Sequence, residues 1–184
     1  ISEFNMTGLH RYTINIPSRM NKQEFVACFG EIYEHSAWIA ETAWENDLEP
    51  VSMAKRDSAE GIHEALRAVV DSASKEDKKA LLCAHPDLAG KLAIAGKLTN
   101  ASASEQASAD LANCTPQEFG TFQSLNAQYK NKFSFPFILA VRGYKRTEIL
   151  EIFEKRLHND TDTEFAAAIE QVHRIAYLRL RDIS

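Results

Sequence analysis

The 184-residue chain is poor in the two residues that interrupt regular structure, with seven glycines and five prolines, about half of ordinary usage. Sandwiches and barrels need frequent Gly- or Pro-rich turns, so this scarcity argues against both. Cysteine is also scarce. Cys28, Cys83 and Cys114 are odd in number and far apart, with no CxxC and no Cys/His pair at zinc spacing. They read as buried free thiols in a reducing compartment. No apolar run approaches the roughly 18 residues that span a bilayer. The N-terminus lacks the basic-then-apolar pattern of a secretory signal, and the chain does not end in Ser-Lys-Leu. A cytoplasmic protein without membrane contact is therefore expected. Lys and Arg number 21 against 26 Asp and Glu, and like charges do not cluster, which excludes a nucleic-acid footprint. There is no HExxH, no Gly-rich phosphate loop and no GxSxG elbow, so neither a metal nor a cofactor is expected.

What is present favours helices. Alanine is abundant at 25 residues, and 45% of the chain is apolar, a composition that suits α-helices and a globular core. Asn21 with Glu24 reads as a capping box, followed by Phe25, Cys28, Phe29 and Ile32 at helical spacing. Ser36 is placed as the cap of a second helix carrying Trp38, Ile39, Ala43 and Trp44, with both tryptophans in the core. Asp57 with Glu60 reads as the next start, ahead of Ile62, Leu66, Val69 and Val70. Ser74 with Asp77 opens a further helix, which Pro86 should end at His85. Thr99 to Ser108 reads as a polar loop leading into a helix. Thr115-Pro116-Gln117-Glu118 is the strongest start, and Phe119, Phe122, Leu125, Asn126, Tyr129 and Phe133 continue its period. Phe135 to Val141 is the one strand-like run, read as a buried extended segment or helix start. Thr161 with Glu164 opens the last helix. The sum is an all-α single domain of about eight or nine helices over 6–184, with Ile1 to Asn5 as a cloning remnant ahead of Met6.

Two places can carry chemistry. His85 sits between a helix end and Pro86, with its backbone fixed and its imidazole able to project into a cleft. Its ordinary pKa of about 6.5 suits proton donation near neutrality. By itself a His-Pro pair is as readily a capping or core histidine. Ser102, Glu105 and Gln106 form the second cluster. Ser102 and Glu105 have capping-box spacing, and such a cap also presents amides and polar side chains to an anionic or polar ligand. His35 and His63 read as structural. His158 and His173 fall in a charged segment expected to be exposed.

Several segments together resemble one family. They are YEHSAWIAE (33–41), HPDLAGK (85–91), SASEQ (102–106), LNAQYKNKFSFPFILAVRG (125–143) and IAYLRL (175–180). The chain resembles the 2-oxo-4-hydroxy-4-carboxy-5-ureidoimidazoline (OHCU) decarboxylases, which complete the route from urate to allantoin. The resemblance covers about residues 15 to 182. It implies an all-α, cofactor-free, usually homodimeric enzyme acting on a small-molecule ureide and yielding (S)-allantoin. His85 matches the proton donor and Pro86 lies beside it. Ser102, Ala103, Ser104, Glu105 and Gln106 match one substrate-binding segment, with Glu105 also a catalytic candidate that holds the hydroxyl or orients His85. Phe137, Ile138, Leu139, Ala140 and Val141 match another, whose backbone would bind the ureido group and ring. Arg179 matches a family arginine. Two positions depart from the pattern. Ser134 stands where the family often has Gly, and Asp110, expected to point outward, interrupts a small-residue stretch. The competing readings are a helical interaction module without catalysis and a racemase-like proton-transfer enzyme on another ureide.

Overall fold

The structure, a computed structural model, describes residues 8–90 and 96–184. Ile1 to Asn5 and Lys91 of the HPDLAGK segment lie outside them. Regular structure among the described residues is helical: eight α-helices and three short 3-10 turns, with one isolated bridge between Arg11 and Ser58. The protein is all-α. Its residues gather into two compact units, 8–81 with 173–184, and 82–172.

The first unit holds α1 (Lys22–Phe29), α2 (Trp38–Glu45), α3 (Ala59–Ser72) and nearly all of α4 (Lys75–Cys83). The Asn21–Glu24 capping box forms in both directions, at 3.0 and 2.8 Å. Two expected caps move by a residue or dissolve. Ser36 donates to the Glu34 carbonyl, and α2 starts without a side-chain cap. Ser58 rather than Asp57 caps α3, accepting from the Gly61 amide at 3.1 Å. Asp57 instead holds the amide and hydroxyl of Ser18. In a run of capping residues the one whose neighbours can be buried wins, and Ala59 and Gly61 are buried. Phe25, Phe29, Ile39, Ile62, Leu66 and Val70 fill the core. Trp44 packs on Phe25 with ring centres 5.3 Å apart, whereas Trp38, expected in the core, is 37% exposed. The thiols are also less buried than expected: Cys28 is half-buried and Cys83, which closes α4, is exposed.

His173 overturns the expectation of exposure. It is buried, accepts from the Tyr33 hydroxyl through Nδ1 at 2.7 Å, and turns Nε2 to Asp71 at 3.1 Å. Burial, helped by nearby Arg67, holds its pKa below the ordinary value against the pull of Asp71. A neutral ring with its proton on Nε2 satisfies both neighbours.

The second unit holds α5 (Asn100–Ser108), α6 (Pro116–Phe133), α7 (Arg146–Leu157) and the part of α8 (Thr161–Asp182) up to Val172. Thr115 and Glu118 form the expected box at 3.1 and 3.2 Å. The polar stretch 99–108 is itself a helix. Thr99 caps it by accepting from the Ser102 amide at 3.2 Å, so Ser102 lies one turn inside and is not the cap. At the last helix Asp160 takes the capping role on the Thr163 amide at 2.8 Å. Glu164, expected to complete that box, is fully buried instead. It accepts from the Tyr129 hydroxyl, from Arg156 at 3.0 Å and from Asn159 at 3.0 Å. A buried carboxylate persists only where such donors meet it. Around Tyr129 gather Phe133, Phe135, Phe137 and Phe153, the last two stacked with centres 3.8 Å apart. Residues 135–141 are non-helical and buried throughout, and Pro136 disfavours helical geometry at Phe135.

Candidate active site

The site is built on the end of α4. α4 closes at Cys83, two residues earlier than expected; the His85 amide still reaches back to the Leu82 carbonyl at 3.2 Å, and Pro86 keeps the chain from resuming the helix. The chain turns sharply through 87–90. Ala89 takes a left-handed conformation (φ 48°). A Cβ on Gly90 would stand 2.8 Å from the Cβ of Asp87, so the turn admits only glycine there.

A loop so buried must have its backbone groups satisfied, and three side-chain amides do this. Gln106 of α5 accepts from the Ala89 amide through Oε1 at 3.0 Å and donates through Nε2 to the Asp87 carbonyl at 3.3 Å. Asn126 of α6 donates to the Leu88 carbonyl at 2.9 Å, and Gln123 to the Ala89 carbonyl at 3.0 Å. Lys130 adds an ion pair to Asp87 at 2.6 Å. The result is a cleft of about 450 Å³ walled by His85, Pro86, Asp87, Gln123, Asn126 and Lys130. His85 is only 8% exposed, so its imidazole is largely withdrawn from bulk water. Hollows of about 730 and 750 Å³ lie in the first unit, but neither has a histidine in its wall. Among the described residues no three His, Cys, Asp or Glu side chains are grouped as metal ligands.

The expected site residues are brought together unevenly. His85 and Pro86 line the cleft. Gln106 is buried, and both ends of its amide hold the His85 loop. Ser102, also buried, lies on the same face of α5, Glu105 is half-buried, and Ala103 and Ser104 are exposed. Residues 102–106 are absent from the cleft wall itself. In the extended run, three of the backbone groups thought to await a ligand have protein partners. The Ile138 carbonyl accepts from Arg156 at 2.7 Å, the Ala140 amide donates to Gln171 at 3.0 Å, and the Val141 carbonyl accepts from the Tyr144 amide. Arg179 belongs to the first unit, where it is buried against Glu34 at 2.8 Å.

Two departures from the family pattern gain a physical reading. Asp110 is exposed and pairs with Arg146, as expected of a residue pointing outward. Ser134 closes α6 in a left-handed conformation (φ 64°), the backbone region that favours glycine. Gln123, Asn126 and Lys130 were missed as site residues. A signal for one existed: Asn126 is a polar residue within the apolar period of α6.

The OHCU decarboxylase family model matches residues 18–181. The chain belongs to the OHCU decarboxylase family. The 2-oxo-4-hydroxy-4-carboxy-5-ureidoimidazoline decarboxylase of Haloferax volcanii is 38% identical over 174 residues, covering 95% of this chain and 97% of its own. The enzyme of that name from Halalkalicoccus jeotgali is 36% identical, covering 95% and 93%. Among solved structures, that of an (S)-allantoin synthase superposes with a TM-score of 0.69 at 33% identity. The match covers 89% of this chain and 51% of the other, so the chain spans about half that protein's length. No helix of the described residues is long and apolar enough to cross a membrane.

Proposed function

We infer that the chain is a carboxy-lyase that converts OHCU to (S)-allantoin, the last step of urate degradation. The observation that carries this reading is the HPDLAG loop. In a chain of this family it is held by three amides so that His85 and Pro86 face a cleft. The C4–carboxylate bond breaks and carbon dioxide leaves. Its electron pair forms a C4–C5 double bond while the C5–N π pair moves to nitrogen, which takes a proton. The resulting enol returns its hydroxyl proton to solvent, becomes the C4 carbonyl, and receives a proton at C5. The imine next to the carboxylate is thus an internal electron sink. His85 supplies the C5 proton from one side, which sets the enantiomer. Glu105 holds the 4-hydroxyl or orients His85. Pro86, residues 102–105 and the 137–141 backbone bind the ring, ureido group and carboxylate, while Gln106 holds the His85 loop. The low exposure of His85 supports a proton delivered without exchange with bulk water.

The test starts from urate, oxidised and hydrolysed to the unstable intermediate, with a chelator present. Added protein should collapse the intermediate's ultraviolet signal and give optically active allantoin. Racemic allantoin at the spontaneous rate would refute the reading. The active form is a homodimer, as two-fold assemblies commonly are. Light scattering should give about 41 kDa, twice the 20.7 kDa chain, and a monomer of full activity would overturn that part.

A further inference from the structure

The three amides that hold the His85 loop are not used alike. Gln106 employs both ends on the loop. Asn126 employs one. Its Nδ2 donates to the Leu88 carbonyl at 2.9 Å, and a carbonyl can only accept, so the orientation of the amide is fixed. Its Oδ1 is left buried with no hydrogen-bond partner, the one side-chain atom among the described residues in that state. Folded proteins rarely keep such an atom, because it has lost water and gained nothing in return. Asn126 is 3% exposed and stands in the cleft wall with His85 and Pro86.

An acceptor of this kind calls for a donor that the protein does not supply. An ion-paired lysine and a proline ring form part of the remaining wall. A ureide brings what is missing, since its ring and ureido nitrogens carry several N–H groups. We propose that Asn126 is a specificity residue that accepts an N–H hydrogen bond from the substrate through Oδ1, next to the proton donor His85. This rests on the cleft being the decarboxylation site. Leu88 holds the other end of the same amide, so the group that grips the loop also grips the ligand. Its position is therefore set before the ligand arrives, and little ordering remains to be done on binding. Leucine or alanine at 126 would loosen the loop as well as lose the acceptor, and Gln123 supplies the control. It makes the same kind of bond to the Ala89 carbonyl but has no buried orphan atom.

The experiment measures allantoin affinity by calorimetry, and KM and kcat for OHCU, in the wild type, Asn126→Ala and Gln123→Ala. It adds a series of allantoins methylated on one nitrogen at a time. Asn126→Ala should bind allantoin at least about tenfold more weakly than Gln123→Ala, as loss of a buried hydrogen bond predicts. Its KM should rise more than its kcat falls. One methylated nitrogen should weaken binding to the wild type, and that penalty should shrink in Asn126→Ala. Equal losses in the two variants would mean that Asn126 only holds the loop. If Asn126→Ala does not fold, the wild type decides alone, because equal affinity across the methyl series overturns the assignment. A wild type that speeds OHCU decay yet shows no such discrimination removes only Asn126. A wild type with neither activity nor allantoin binding removes the decarboxylase reading with it.

Discussion

Replacing Gln106 by Met separates two roles that the family resemblance merges. The residue matches a substrate-binding segment, yet its carboxamide is occupied at both ends by the loop, on the Ala89 amide at 3.0 Å and the Asp87 carbonyl at 3.3 Å. Methionine keeps the length and removes both bonds. Ala89 is 2% exposed, so its amide would be buried unsatisfied, at a cost of about 1–3 kcal/mol. Loss of the bond to the Asp87 carbonyl adds roughly 0.5–1.5 kcal/mol. The expected loss is thus about 1.5–4.5 kcal/mol. For a chain of this size each kcal/mol moves Tm by about 2–4 °C, so Tm should fall by roughly 3–18 °C. Circular dichroism at 222 nm measures this, and the ultraviolet decay assay run below the transition measures turnover. An unchanged Tm with a raised KM in Gln106→Met would refute the reasoning, and Gln106 would then be a substrate ligand whose loop bonds are dispensable.

His85→Asn should fold with a Tm close to wild type and still bind allantoin, while turnover falls by about 10²–10⁴-fold, the usual contribution of a positioned general acid. His158→Asn, at an exposed position, is the control and should keep full turnover. Ser134→Gly should raise stability by about 1 kcal/mol in urea denaturation, because a left-handed residue with a Cβ is strained by roughly that amount, and an unchanged midpoint would show that Ser134 is not strained. His173 gives a pH signature. Its folded pKa lies below the ordinary 6.5 because burial, and then Arg67, oppose its charge. Its contribution is therefore complete above about pH 6.5 and is lost as pH falls toward the folded value, where the unfolded chain takes a proton that the folded one refuses. Denaturation midpoints at pH 7 and pH 5 should differ less in His173→Gln than in wild type.

Local signals in the sequence carried far. The Asn21–Glu24 and Thr115–Glu118 boxes form as read, because a cap is decided within four residues and needs no distant partner. The end of a helix just before His85-Pro86 and the burial of 135–141 outside any helix were equally legible, since proline's restrictions are local too. Caps failed where two candidates stood side by side, as with Asp57 and Ser58, or where the chain offered a start one turn earlier, as with Thr99 ahead of Ser102. The choice there depends on which register buries the apolar face. His173 looked exposed amid charged neighbours, but only the fold brings Tyr33 and Asp71 to its two ring nitrogens. The site divides in the same way. His85 and the segments that resemble the family's site could be named as candidates from the sequence, because their motifs are local. That Gln106, Gln123 and Asn126 jointly hold one loop could not. Their partners are backbone carbonyls and an amide 17 to 38 residues away, and every residue has those groups, so only tertiary structure decides which of them are met.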